Sequence, residues 1–393
     1  MVEKFNKWGA YMSFELNKEQ EDIKKAAREF AEGEFREIAR ELDAKETFDD
    51  RLWKKAAELG FLAVFVEEKY EGLGMGYLEQ CLINEEFARV DLGIAQSIES
   101  TFFGTQLIQE VGSEEQKQKY LPAICSGKMR MGMAVTEPDA GSDVASIATE
   151  AIKDGDEYVV SGTKVFITNC TLADFLVVLC VTNPEDPKKH RRLSTILVET
   201  NRDGYEANAY HGKLSLRISN TGEVALNRVR VPKENLIGQE GRGFYNIMEF
   251  FNRTRVQVAA LGVGTAQGAL DKAITHVRQR QQFGKPLASF QLVQGKIADM
   301  VTMTEAARSI CYRAASKLDS GTPDPSLSSM AKWYCAEVAV KVADEAIQLH
   351  GGYGILEEYD VAHYWRNAKV LEIFEGSKEI EKIIIANKIL GKY

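Results

Sequence analysis

Residues 158–169 read Tyr-Val-Val-Ser-Gly-Thr-Lys-Val-Phe-Ile-Thr-Asn. β-Branched and aromatic side chains dominate the run, and such a run bounded by turn-formers predicts a strand. Three more runs of this texture follow at 175–182, 193–199 and 223–231, giving a β segment of about 110 residues that begins after Gly127. The connector Asn183-Pro184-Glu185-Asp186-Pro187-Lys188-Lys189-His190-Arg191-Arg192 is polar and proline-bearing. It reads most simply as an exposed hairpin loop; its end also reads as a basic patch.

Outward from this segment the period changes. From about residue 16 to 124, apolar positions recur at spacings of three and four, as at Ile23, Ala27, Phe30 and Ala31, which predicts amphipathic helices. The glycine-rich Glu71-Gly72-Leu73-Gly74-Met75-Gly76 separates two of these, and Leu121-Pro122 lies within another. From Gly243 onward the helical pattern returns, with Ile297, Met300 and Val301, then Val338, Val342 and Leu349. Gly321-Thr322-Pro323-Asp324-Pro325 reads as a turn between two helices. The predicted fold class is α+β and multidomain: an N-terminal helical domain over 1–128, a central antiparallel β domain over 129–240 and a C-terminal helical bundle over 241–393.

The 393 residues suit two or three domains of ordinary size, and 45% hydrophobic with 27% charged residues is a globular composition. No apolar run reaches the roughly 18 residues that span a bilayer, so no membrane insertion is expected. With 49 Lys plus Arg against 58 Asp plus Glu, the net charge of -9 argues against a nucleic-acid partner. It does not exclude a phosphate-bearing cofactor held by a few local arginines. Six scattered cysteines without a CxxC pair read as buried thiols in a reduced compartment, not as a disulfide framework or a zinc site, so no metal is expected. The first 20 residues contain no apolar export signal, which makes a cytoplasmic location the expectation.

Five segments could carry chemistry. In Met133-Ala134-Val135-Thr136-Glu137-Pro138-Asp139-Ala140-Gly141-Ser142-Asp143 an apolar run becomes a turn rich in hydroxyls and glycine, which can offer N–H and O–H groups to an anion or serve only as a turn. In the strand at 164–169, alternation puts Phe166 and Thr168 on one face, an aromatic plate beside a hydroxyl. Arg280-Gln281-Gln282-Phe283-Gly284-Lys285-Pro286-Leu287 ends one helix and precedes another; its arginine can fork onto a pyrophosphate or complement a helix dipole. Gln348-Leu349-His350-Gly351-Gly352-Tyr353-Gly354 stops a helix with three glycines, which suffices for a C-cap. In Ile373-Phe374-Glu375-Gly376-Ser377, Glu375 is either a base made more basic by an apolar cleft or a first-turn acid of a helix capped by Ser377.

Together, in this order and on this helix, sheet, helix layout, the five segments resemble the acyl-CoA dehydrogenase family of flavoproteins over residues 14–391. Two long signatures carry the likeness: Ala134-Val135-Thr136-Glu137-Pro138-Asp139-Ala140-Gly141-Ser142-Asp143, and Gln348 to Gly354 continuing to Glu358, Arg366 and Asn367. The resemblance implies FAD held between the β domain and the C-terminal bundle, with a neighbouring subunit completing the site in a homotetramer or at least a dimer. It places Val135 and Thr136 at the flavin pyrimidine edge, Ser142 at the pyrophosphate and the CoA, and Phe166 and Thr168 at the ring near its reactive nitrogen. Across the subunit interface it places Arg280, Gln282, Phe283, Gln291, Gln348, Leu349 and Gly352 at the adenosine and pyrophosphate. Ser377 and Glu379 stand where the family often has Thr and Gln contacting FAD, Phe166 where many relatives have Trp, and His363 where a different basic residue is usual. The family typically begins near the pattern Met12-Ser13-Phe14-Glu15-Leu16, and residues 1–11 carry no predicted role.

The implied reaction has Glu375 take the α-proton of an acyl-CoA while hydride leaves the β-carbon for the flavin, giving a 2,3-enoyl-CoA. The thioester oxygen would be held by a flavin ribityl hydroxyl and the Glu375 N–H. Thr254 occupies the position from which some relatives supply the base and cannot do so itself; Arg255 is placed to hold CoA or the strand carrying the base. Glutaryl-type relatives carry an arginine near the position of Ala95, so a diacid is disfavoured. Glu99, Ser100 and Thr101 are expected to make the far end of the acyl pocket polar, which favours a short-to-medium or cyclic acyl group. Asp91 reads as a helix cap, or as the acceptor of a second proton in a 1,4-dehydrogenation of a ring acyl-CoA. Electron-transfer flavoprotein is the expected electron acceptor; a flavin oxidase or monooxygenase on the same fold is the alternative.

Overall fold

The computed structural model describes residues 15–391, so the start pattern at 12–14 and the extension at 1–11 lie outside the described residues. The N-terminal part holds α1 (Lys18–Glu34), α2 (Ala39–Lys45), α3 (Asp50–Glu58), α4 (Tyr77–Val90), α5 (Leu92–Glu99), α6 (Thr105–Val111) and α7 (Glu114–Cys125). Strands β1 (Met131–Ala134), β2 (Glu150–Asp154), β3 (Glu157–Thr168), β4 (Phe175–Val181), β5 (Leu193–Glu199), β6 (Tyr205–Ala209), β7 (Thr221–Pro232) and β8 (Leu236–Ile237) follow. The C-terminal part begins with α8 (Gly243–Gln279), continues through a small ribbon of β9 (Gln281–Gln282) and β10 (Lys285–Pro286), and ends with α9 (Gln291–Asp319), α10 (Pro325–His350), α11 (Val361–Ala368) and α12 (Lys378–Leu390).

The central sheet runs β6-β7-β3-β2-β4-β5-β8, with β1 pairing beside β4. It is antiparallel except where β4 meets β1 and β2 in parallel. The connector at 183–192 is the expected hairpin loop, since Val181 pairs with Leu193. Strands β1, β2, β6 and β8 escape the sequence reading because they are short or interrupted by charged residues, as in Glu-Ala-Ile-Lys-Asp at 150–154. The segment at 280–287 is more than a helix end. Its two strands turn through Phe283 (φ +51°) and Gly284 (φ +75°), the paired positive angles that a two-residue hairpin favours.

The long α8 is the spine. It packs on α4 of the N-terminal part and on α9 and α10 of its own. Glycines permit the closest approach: a Cβ at Gly264 would come within 2.1 Å of the Glu85 carbonyl oxygen, and one at Gly268 within 2.1 Å of the Arg89 oxygen. Because α4 is enclosed, its carboxylates are buried and must be paired. Glu85 accepts from Lys24 at 2.9 Å, Arg308 at 3.0 Å and the Tyr312 hydroxyl at 2.6 Å, tying α1 to α9 through α4. All six cysteines are buried as free thiols. Among the described residues no helix is long and apolar enough to cross a membrane, and no cluster of His, Cys, Asp or Glu is placed to hold a metal ion.

Candidate active site

Glu375 lies on the loop between a 3-10 turn (Lys369–Glu372) and α12. Ser377 is the N-cap of α12, its hydroxyl accepting from the Ile380 N–H, so Glu375 precedes the cap and is not a first-turn acid. The residue has φ +55° and Gly376 has φ +100°, an unfavourable backbone for a residue with a side chain, which neighbouring contacts must hold. Fully buried Thr254 on α8 donates its hydroxyl to Glu375 Oε2 at 2.7 Å. Burial pushes the half-buried carboxyl up to about 7, against the Thr254 hydrogen bond and the positive charges of Arg255 and Lys332. A carboxylate with that basicity is matched to proton abstraction near neutral pH.

Thr254 and Arg255, both candidate substrate-binding residues by the resemblance, meet the base segment in this structure, and for Arg255 this is the second of its two expected placements. Thr254 serves the base, and Arg255 is buried beneath the base loop, its Nε 3.3 Å from the Glu375 carbonyl oxygen and 2.9 Å from Glu381 Oε1. The base sits on a loop, not a strand.

Glu99, at the end of α5, is 1% exposed and close enough to Glu375 for their charges to interact. One oxygen accepts from Asn84 at 3.0 Å; the other has no hydrogen-bond partner among the described residues. Burial, aided by the Glu375 charge, raises Glu99 to about 8, so it is a neutral O–H donor at pH 7. The hydroxyls of Ser100 and Thr101 do not add polarity as expected. They donate to the carbonyls of Ser97 and Ile98 at 2.9 and 2.7 Å, because hydroxyls near a helix end find free carbonyls close by. Asp91 caps α5 through the Ile94 N–H at 2.7 Å and holds His363 Nε2 at 2.6 Å. It borders a polar cavity of about 490 Å³, shared with Asp43, Asp271 and His363, whose walls do not include Glu375. Both of its oxygens are engaged, which leaves the second-base role without geometric support.

The turn at 133–143 and β3 come together as expected. The Val165 N–H donates to the Thr136 carbonyl at 3.0 Å, and the ammonium of fully buried Lys164 reaches the Val135 carbonyl at 3.0 Å and Glu137 at 2.8 Å. Glu137 also accepts from the Ala148 and Thr149 N–H groups, so the pair pins the turn from below. Lys164 gave no sequence signal beyond being a lysine in an apolar strand. Phe166 and Thr168 do share the open side of the strand, but through an irregularity: the register with β7 shifts between Lys164 and Ile167, and Phe166 has φ +58°. The Phe166 ring is 69% exposed, Ser142 is exposed, and the Thr168 hydroxyl lies 3.5 Å from that of Thr221.

On the C-terminal part, Arg280, Gln282, Phe283, Gln291, Gln348 and Gly352 are exposed, Phe283 at 92%, while Leu349 is buried. The Arg280 guanidinium lies 5.5 Å from the Tyr353 ring centre, which joins the 280–287 and 348–354 segments. Glu379 is exposed on the first turn of α12.

Three family models match the sequence: "Acyl-CoA dehydrogenase, N-terminal domain" over residues 17–128, the middle domain over 132–229 and the C-terminal domain over 241–390. The chain belongs to the acyl-CoA dehydrogenase family. Acryloyl-CoA reductase (NADH) of Anaerotignum propionicum is 38% identical over 97% of each chain. Subunit CarC of the caffeyl-CoA reductase-Etf complex of Acetobacterium woodii is 37% identical, over 94% of this chain and 98% of its own. The butyryl-CoA dehydrogenase structure from Megasphaera elsdenii is 35% identical and superposes with a TM-score of 0.93, over 96% of this chain and all of that one.

Acyl-CoA dehydrogenases are FAD-dependent oxidoreductases. The residues present fit that cofactor. An exposed phenyl ring beside hydroxyls and backbone amides suits the flavin ring, and an arginine with several glutamines suits the dinucleotide. Gly351 and Gly352 face open space in which a Cβ would meet nothing within 4 Å, room for a ligand's close approach.

Proposed function

We propose that the chain dehydrogenates a short-to-medium or cyclic acyl-CoA to the 2,3-enoyl-CoA, with Glu375 as the base. The observation that carries this reading is the Glu375 carboxyl, held by Thr254 at 2.7 Å and poised near neutrality. Bound FAD supplies the acceptor for the hydride leaving the β-carbon. Glu375 removes the α-proton, and the electron pair of that C–H bond becomes the α,β double bond as the β-hydride departs. The Glu375 N–H has no hydrogen-bond partner among the described residues and is free to donate to the thioester oxygen, which acidifies the α-proton. Val135, Thr136, Ser142, Phe166 and Thr168 would hold the flavin from this subunit; Arg280, Gln282, Phe283, Gln291, Gln348, Leu349 and Gly352 would hold it from a neighbour in a homotetramer.

The basic hairpin supplies the anionic end of CoA with a partner. Asn183, Arg191, Arg242 and Tyr245 line a cavity of about 570 Å³ together with Asp186 and Glu240, the latter already paired with Lys153 at 2.7 Å, and His190 stacks on Phe244 at 4.1 Å. From Arg242 to Thr254 the backbone of α8 advances about 18 Å, the scale of an extended pantetheine arm. Ala95 offers no cation to a distal carboxylate, and neutral Glu99 favours a short acyl group or one with a polar end.

The reverse direction is a second reading, favoured by relatives whose names are acryloyl-CoA and caffeyl-CoA reductase. The same site serves it, with protonated Glu375 returning its proton to the α-carbon. An electron-transfer flavoprotein is the proposed redox partner in either direction, on the strength of the Etf-complex relative.

The test is an anaerobic screen of the purified yellow holoenzyme against straight, branched, cyclic and dicarboxylic acyl-CoAs, read by loss of flavin absorbance. Bleaching by short or cyclic esters supports the reading. A colourless protein sinks the enzyme assignment, and rapid reoxidation by air favours an oxidase.

A further inference from the structure

Beneath the base loop lies a buried charge cluster with no assigned part in the reaction. Lys332 on α10 is fully buried, and its ammonium donates to the Gly376 carbonyl at 2.5 Å. Glu381, fully buried near the start of α12, holds Arg255 Nε at 2.9 Å, and the same Nε faces the Glu375 carbonyl. A side chain at position 376 has no room, since its Cβ would come within 2.0 Å of Glu381 Oε1. Helices α8, α10 and α12 therefore meet the loop through Arg255, Lys332 and Glu381.

Their charges do more than pack. Burial pushes the Glu381 carboxyl up, against the pull of Arg255 and Lys332. With Glu381 ionised and Glu375 protonated the three groups carry a surplus positive charge, which ionisation of Glu375 balances. Arg255 and Lys332 favour its ionised form, while Glu381 beside it and Glu99 from α5 oppose it. Lys332 in turn faces Glu381, Glu375, Arg255 and Glu372, and burial takes its ammonium down to about 8. Glu372 is itself paired with Lys369 and Lys378.

We propose that Lys332 and Glu381 are positioning residues of the proton-transfer step: Lys332 pins the Gly376 carbonyl, while Glu381 orients Arg255 and closes the floor of the loop, so that the base is presented to the α-carbon with its charge counterbalanced. The proposal rests on Glu375 being that base.

The test compares Lys332→Met and Glu381→Gln holoenzymes by two titrations. One follows the infrared band of the Glu375 carboxyl group, assigned by its loss in Glu375→Gln. The other follows the rate of anaerobic flavin reduction by butyryl-CoA. The midpoint should rise by about one pH unit in Lys332→Met and fall by about one in Glu381→Gln. In each variant the reduction rate should drop about tenfold while the affinity for butyryl-CoA stays within about twofold. A merely structural pair would not move the midpoint in opposite directions; shifts of the same sign, or none, overturn the proposal. Should Lys332→Met fail to give folded holoenzyme, the nearly isosteric Glu381→Gln decides alone, with a fall supporting the proposal and no change or a rise overturning it. Near-wild-type flavin reduction by Glu375→Gln would instead remove the base assignment, an outcome that leaves the infrared result separately readable.

Discussion

Two buried charge clusters in this protein show opposite resolutions of the same conflict. At the junction of the three parts, His363 lies 2.6 Å from Asp91 and 3.5 Å from Asp43, and Arg366 lies 2.7 Å from Asp43. Burial works against the His363 charge, yet the two aspartates overcome it and raise the imidazole to about 10. Burial likewise opposes the Asp43 carboxylate, but His363 and Arg366 take it down to about 2. At the base loop burial wins instead, and Glu375 and Glu99 move up to about 7 and about 8. The closest hydrogen-bond partner decides the outcome. Asp91 and Asp43 touch cations, whereas Glu375 touches a hydroxyl and Glu99 an amide. The paired cluster holds the parts together; the imperfectly paired one retains a proton that can move.

The largest expected effect breaks the contrast on its functional side. Glu375→Gln should retain FAD and acyl-CoA binding but lose at least about 10³-fold in the rate of flavin reduction, measured by anaerobic rapid mixing. Near-wild-type bleaching would show that the imperfectly paired carboxyl is not the working one.

On the structural side, His363→Ala leaves two buried aspartates short of a cation and should cost about 3–5 kcal/mol, read as a lower thermal unfolding midpoint. The sign of its pH dependence follows from a raised folded-state value. The contribution of His363 is complete below about pH 6.5 and is lost as pH rises through about 10, so wild type and variant should converge in strong alkali. A gap that instead widens above pH 10 would place the stabilisation elsewhere.

Glu99→Gln sharpens the comparison, because the neutral amide copies the form that burial favours. Glu99 also has a raised folded-state value, so the stability tied to its proton is lost as pH rises toward 8. The variant should melt with wild type near pH 4 and be more stable by about 4 kcal/mol at pH 8, if the unfolded carboxyl titrates normally. Equal melting at both values would mean that Glu99 is paired after all.

The smallest effect is a displacement of the pH profile. In wild type kcat/KM should rise with pH through about 7 as Glu375 ionises. Thr254→Val removes a hydrogen bond worth about 1 kcal/mol to the charged form and should move that limb up by roughly half a pH unit to one unit. A limb that stays in place would show that the hydroxyl orients the carboxyl without tuning it.

Much of the organisation is legible in the residue order. Periods of three and four around the Ile23 to Ala31 stretch, alternation at 158–169 and the return of helical spacing after Gly243 correspond to α1, β3 and the C-terminal helices, because local side-chain direction follows the backbone period. The Ser377 cap is likewise local. Glu375 was legible as one of two readings from its neighbours, and the family signatures favoured the base. Contacts between distant residues were not legible. Nothing in the spelling of Lys164 announces Glu137, and nothing near Lys332 announces Gly376, 44 residues away. The Ser100 and Thr101 hydroxyls misled for the opposite reason: they count as polar in composition, yet nearby carbonyls absorb them.

The sequence by itself determined the alternation of helical and β segments, the family and the residue types available for proton transfer and dinucleotide binding. Those follow from periodicity and from motifs read within a few residues. Only the tertiary structure decided which carboxyl is free to change its charge. Glu375, Glu99 and Asp43 are all short acidic side chains in mostly apolar or mixed surroundings, and the sequence does not rank them. Their rank depends on whether folding brings a cation, an amide or a hydroxyl within hydrogen-bonding distance, because in a poorly solvated interior only a close cation offsets the cost of burying the charge.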